Sequence, residues 1–181
     1  MEITLKEKYN KEVLKKFQEK FGVRNIMEVP RITKIVLNAG VGKYLKEKDS
    51  LEEIVSAIKD LSGQKPVMTK ARKSISGFKV RKGQEVGVVV TLRGSRMWDF
   101  LGKLVKVALP RIRDFRGIKE KSFDQEGNLN IAIKEHIVFP EIVAENVKNI
   151  FGFQVTIVNT AKTREEGIEL FRLLGFPIKN E

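Results

Sequence analysis

The chain has 181 residues, 41% of them apolar, with no cysteine, one histidine and a formal net charge of +12. That length suits a single domain over residues 1–181 with a real core. The missing cysteines exclude disulfides and thiolate metal sites, and a lone histidine argues against a His-based one. No 18-residue apolar run is present to span a bilayer, and the N-terminus lacks a signal-peptide core. A cytosolic protein without cofactor, metal or membrane partner is expected.

From the N-terminus, residues 4–21 read as a helix, with Thr4 and Glu7 as a capping box and Leu5, Tyr9, Val13, Phe17 and Phe21 at helical spacing before Gly22. Ile32 to Ala39 reads as a strand. Ser50 with Glu53 caps a second helix carrying Ile54, Ile58 and Leu61, stopped by Gly63. Residues 65–70 and 86–93 read as strands flanking a long loop. Ser95 opens a third helix that ends near Pro110. Asn128 to Ile137 and Phe153 to Thr160 read as strands, and Thr163 with Glu166 caps a last helix closed by Gly175. Interleaved strands and helices with a hairpin-like pair predict an α+β fold, one mainly antiparallel sheet with helices on one face.

The positive charge is concentrated. Residues 61–116 hold 14 basic and 3 acidic side chains, whereas residues 117–181 are net negative. No acid lies between Asp60 and Glu85. The loop at about 70–84 carries Lys70, Arg72, Lys73, Lys79, Arg81 and Lys82, with Ser74, Ser76 and Phe78 between them. About thirteen residues without secondary structure is long for a hairpin, and such loops are usually functional or mobile. Six like charges should extend it away from the body, and phosphate contact would relieve their repulsion.

Strand alternation adds a second surface. Ile35 and Leu37, Val88, Val90 and Leu92, Leu129, Ile131 and Ile133 all fall on one side of their strands. The other side would display Lys34, Asn38, Thr91, Arg93, Asn130 and Lys134, a hydrogen-bonding, net basic set without acids that suits RNA. Arg111, Arg113 and Arg116 form another basic cluster after the third helix, either an RNA contact or a complement to the helix dipole.

No catalytic constellation emerges. Leu37-Asn-Ala-Gly-Val-Gly-Lys-Tyr44 fails as a nucleotide loop, because Tyr44 stands where Ser or Thr is required. Gly40 and Gly42 are expected instead to permit unusual backbone angles in a tight turn. His136 has no cysteine or second histidine to complete a triad or zinc site, so a structural or a surface histidine is expected. The carboxylates read as helix caps and dipole partners.

Several segments resemble the large-subunit ribosomal protein five family. They are Lys34-Ile-Val-Leu-Asn-Ala-Gly-Val-Gly42, Lys70-Ala-Arg-Lys-Ser-Ile-Ser-Gly-Phe-Lys-Val-Arg-Lys-Gly83, Val90-Thr-Leu-Arg93, Ala108-Leu-Pro-Arg-Ile-Arg-Asp-Phe-Arg-Gly117 and Leu174-Gly-Phe-Pro177. Ser122-Phe-Asp-Gln-Glu-Gly-Asn128 is similar to its bacterial form. The resemblance implies a non-enzymatic 5S rRNA-binding constituent of the large ribosomal subunit. Lys34, Asn38, Gln64, Phe78, Thr91 and Arg93 match its 5S rRNA contacts. The loop, through Lys70, Arg72, Lys73, Ser74, Ser76, Lys79, Arg81 and Lys82, matches its contact with peptidyl-site tRNA. The family also implies contact with 23S rRNA, other 5S-associated proteins and a small-subunit head protein, the last as an intersubunit bridge, in a chain that is monomeric when free. Arg111, Arg113 and Arg116 are candidates for such further RNA or bridge contacts. Gly77 departs from the family pattern, where Asn is also expected, and would loosen the loop tip.

Overall fold

The computed structural model describes residues 4–44, 47–142 and 147–179. Five antiparallel strands form one sheet: β1 (Ile32–Gly40), β2 (Val67–Lys70), β3 (Glu85–Leu92), β4 (Leu129–Ile133) and β5 (Phe153–Asn159), in the order β2-β3-β1-β5-β4. The helices are α1 (Leu5–Lys8, a π turn at Tyr9–Val13, then Leu14–Phe21), α2 (Lys48–Ser62), α3 (Gly94–Lys103, continuing through a π turn to Leu109–Arg111) and α4 (Arg164–Leu174). The α+β expectation holds.

The elements obey their local signals with instructive exceptions. Thr4 and Thr163 accept from the N–H groups of Glu7 and Glu166, as their capping boxes predict. α2 begins earlier than expected: Glu47 precedes its first residue, and Ser50, already inside the helix and buried, donates to Glu47 Oε2 at 2.9 Å. β4 ends at Ile133, because His136–Val138 turns into a 3₁₀ helix. Gly40 and Gly42 adopt no positive φ; Gly42–Tyr44 is an ordinary 3₁₀ turn, so the unusual angles expected there are absent.

The chain divides into two compact units. The first comprises Met1–Ile35, Leu92–Ile131 and Thr156–Glu181. Its core holds Val13, Phe17, Phe100, Leu101, Leu104, Leu170 and Phe171, all nearly inaccessible. Tyr9 donates to the Pro30 carbonyl at 3.0 Å and tilts against Trp98, which fastens α1 to α3. Burial raises the Tyr9 pKa against the opposing effect of Arg31. Glu169, nearly buried, is met by Lys20 at 2.7 Å and Arg172 at 3.3 Å, so its charge is compensated.

The second unit comprises Val36–Thr91 and Ala132–Val155. The stripe Ile54, Ile58 and Leu61 of α2 is buried, as are Leu37 and Ala39 of β1 and Val88 and Val90 of β3. Each large side chain fully buried in this way contributes about 1.5–3 kcal/mol. Glu53 points off α2 and accepts from the N–H of Lys148 at 2.8 Å and from Asn149 Nδ2 at 3.2 Å. That carboxylate pins the segment leading into β5.

Candidate nucleic-acid interface

In the second unit the open side of the sheet is built by alternation and by one glycine. Val88 is buried, so its neighbours Gly87 and Val89 point to the opposite face, and the register pairs them with Thr69 and Val67 of β2. A Cβ on Gly87 would lie 2.6 Å from Thr69 Oγ1 and 3.8 Å from Asn38 Oδ1. The missing side chain therefore lets a hydroxyl from β2 and an amide from β1 converge over β3. Asn38 is exposed there, and Thr91 is half-buried.

Gln64 joins this surface through the end of α2. Gly63 takes a left-handed φ of 63°, which stops the helix and turns the chain. Ser62 Oγ then donates to the Gln64 carbonyl at 3.0 Å, and Gln64 Nε2 reaches the Thr91 carbonyl at 3.4 Å. The side chain is held by backbone rather than left to solvent.

Beyond Thr69 the same two strands change character. Thr69 pairs with Gly87 but Lys70 pairs with Glu85, so Val86 is an extra residue on β3. Such a bulge bends the ladder and re-aims the residues beyond it. The loop expected to lack secondary structure is in fact laced. Ala71 N–H donates to the Gln84 carbonyl at 2.8 Å and Gly83 N–H to the Ala71 carbonyl at 2.9 Å. Ile75 and Val80 form an antiparallel bridge around a 3₁₀ turn at Ser76–Phe78. Ser74 Oγ accepts from Lys82 N–H at 2.9 Å. The left-handed corner is taken by Lys79 (φ 53°) and not by Gly77. The physical reason is that a hairpin satisfies its backbone whatever its side-chain charges, which point outward to water.

Within this hairpin Lys70, Arg72, Lys73, Lys79, Arg81 and Lys82 are all exposed. Among the described residues none of them has a carboxylate partner within ion-pair distance. Phe78, 77% exposed, and Ile75, 50% exposed, share a cleft of about 860 Å³ with Val80 and Val86, rimmed by Lys43, Arg72 and Lys73. Phe78 thus stands on the hairpin, not on the strands beside Thr91 and Gln64.

Lys34, half-buried on β1, and Arg93, exposed just before α3, belong to the first unit. Arg111, the last residue of α3, and Arg113 and Arg116, in the turn after it where Asp114 adopts φ 55°, are all exposed. One residue expected on the open face is already engaged: Asn130 accepts from Thr156 Oγ1 at 2.7 Å. Its neighbour Asn128 is 8% exposed and holds Asp124 and Asn159. Lys134, exposed, lies just past β4. Residues that sequence reading missed are Thr69, Gly87 and Lys43. A glycine in mid-strand was the available signal for the first two.

His136 is structural and not a surface histidine. It is 1% exposed, stacks on Phe151 at 4.0 Å, and its Nδ1 accepts from Phe151 N–H at 3.4 Å. Burial lowers its pKa, against the Phe151 hydrogen bond and Glu53, which raise it. Burial pushes Glu53 up, but the Lys148 and Asn149 hydrogen bonds and His136 hold its carboxyl below the ordinary range. No group of three or more metal-ligating side chains occurs among the described residues, and no described helix is long and apolar enough to cross a membrane.

Comparison with known proteins bears on this geometry. Residues 25–81 match the family model described as ribosomal protein L5, and residues 85–178 match that of the ribosomal L5P family C-terminus. A large ribosomal subunit protein uL5 from a Marinomonas strain is 53% identical over 97% of this chain and 98% of its own length. Proteins of the same name from Halothermothrix orenii and Fervidobacterium nodosum are 50% and 49% identical, over 96% and 99% of this chain and 97% of each relative. The chain belongs to the ribosomal protein L5 family. The two family models meet inside the hairpin, between residues 81 and 85. The first model therefore covers β1, α2, β2 and the hairpin cations from Lys70 to Arg81, Lys82 falls between the two models, and the second begins at β3.

Proposed function

We propose that this member of the L5 family is a constituent of the large ribosomal subunit in the cytoplasm, acting over residues 1–181 as a single 5S rRNA-binding domain. Asn38, Gln64 and Thr91, with Lys34 and Arg93, grip 5S rRNA; Thr69 joins them through the gap at Gly87. Phe78 offers a ring for an unstacked base. The hairpin cations Lys70, Arg72, Lys73, Lys79, Arg81 and Lys82, with Ser74 and Ser76, reach peptidyl-site tRNA. Arg111, Arg113 and Arg116 contact 23S rRNA or the small-subunit head protein. The observation that carries this reading is that the six hairpin cations have no carboxylate partner among the described residues. Unneutralised positive charge held on an ordered backbone matches a phosphate chain.

Footprinting of 5S rRNA with the purified protein at several salt concentrations tests the reading. Protection of one discrete region, retained against an excess of bulk RNA, is the expected result. Equal binding to all RNAs would reduce the chain to a general RNA-binding module.

A further inference from the structure

We infer that the cleft between α2 and the outer edge of β2 is a docking site for an extended segment of a partner protein, which adds to the sheet as a sixth strand. β2 ends the strand order, so β3 is its neighbour on one side and its other edge is open. An open edge presents N–H and C=O groups at strand spacing. Beside it lies a cleft of about 710 Å³. Leu51, Val55 and Lys59 line its helix side, four residues apart and therefore on one face of α2. Pro66 and Met68 line its strand side. Leu51, Val55 and Met68 are apolar yet only half-buried. A helix beside an open sheet edge with an apolar groove between them is the arrangement used for strand addition, where main-chain bonds give affinity and alternate side chains enter the groove.

The charges say what kind of strand fits. α2 runs down to Gly63 and β2 runs back, so Lys59 and Lys65 mark one end of the cleft while Glu52 and Glu85 mark the other. Among the described residues none of these four is in an ion pair. The matching segment has a carboxylate for the lysine end, a cation for the glutamate end and apolar side chains at alternate positions between them. Glu52 and Glu85 disfavour a phosphate chain. A second copy is disfavoured as well: antiparallel pairing of two β2 edges would set Lys65 of one copy against the Lys70–Arg72 end of the other. Pro66 before β2 and the bulge after Thr69 confine the addition to a few residues.

The test uses the full-length protein and a pool of synthetic heptapeptides with lysine first, valine third and fifth, glutamate last and the other positions random, so that all four fixed side chains share one face. Expected are amide chemical-shift changes confined to Leu51–Lys59 and Lys65–Lys70. Val55→Glu should weaken binding at least about tenfold and leave 5S rRNA affinity unchanged. Lys65→Glu, at an exposed site, provides the second variant should Val55→Glu fail to fold, and should likewise weaken binding. Absence of shifts at millimolar peptide, or shifts confined to the hairpin, would overturn the inference. A dimer dissolved by Lys65→Glu would assign the edge to a second copy, and protection of the same amides by 5S rRNA would assign it to RNA; either result overturns it.

Discussion

The strands β2 and β3 and the hairpin that joins them are one continuous pair, yet they obey different constraints. Along Val67–Thr69 and Gly87–Thr91, Val88 and Val90 on the reverse side are buried in the core. Side chains on the open side are therefore referenced to a packed structure, and Gln64 is additionally tied to Thr91. Past the bulge there is no such backing. The hairpin is held by backbone bonds and by the Ser74 and Gln84 side chains, while Ile75 and Phe78 remain exposed. A surface backed by a core can present a fixed pattern of donors and acceptors; a hairpin held by its own ladder can present charge without the same positional precision. The first suits a permanent RNA partner and the second a transient one.

Substitutions can separate the two surfaces or merge them. The largest effect is expected from Arg93→Glu or Lys34→Glu, which should lower 5S rRNA affinity on the order of 100-fold, read by filter binding. Phe78→Ala comes next, because its position on the hairpin sets it against its assignment to 5S rRNA. Loss of one stacked base predicts a drop of about tenfold in 5S rRNA affinity, and unchanged affinity would place Phe78 wholly with the hairpin cations. Lys73→Glu and Lys79→Glu should leave most 5S rRNA affinity intact and weaken peptidyl-site tRNA binding to reconstituted ribosomes. Engagement of all six cations corresponds to a log K against log salt slope of roughly −4 to −5. Equal 5S losses from the Arg93 and Lys73 variants would refute the contrast altogether.

Two smaller effects concern the scaffold. His136 has a lowered folded pKa, chiefly through burial. Its contribution to stability is therefore complete above about pH 6.5 and is lost as pH falls through the lowered value. Urea midpoints should fall between about pH 7.5 and 5, and the fall should shrink in His136→Gln; Glu53, held low, adds its own loss only at more acidic pH, below about 4.3. The smallest effect is expected from Ser74→Ala. It removes the acceptor of Lys82 N–H and should speed hydrogen exchange at that amide, with global stability shifted by no more than about 0.5 kcal/mol.

Much of this was legible in the residue order. Thr4, Thr163, Gly22, Gly63 and Gly175 set helix ends through local hydrogen bonds and backbone angles, which depend on near neighbours alone. Period-two alternation in β1 and β3 identified the buried side correctly, because burying one face of a strand imposes that period. Asn128 shows the limit of that period: it precedes β4 on the side of Asn130, yet a turn folds Asp124 back onto it and it is buried.

The fold class, most helix ends and the segment that carries the charge were written in the residue order, because propensity, capping and charge density are properties of short windows. Folding in three dimensions was needed to make the basic segment a laced hairpin, to seat Phe78 on it, to bring Thr69 and Asn38 together over Gly87, and to leave an edge of β2 open beside α2. Each of these depends on strand pairing between residues far apart along the chain, where one bulge or one missing Cβ changes which side chains meet.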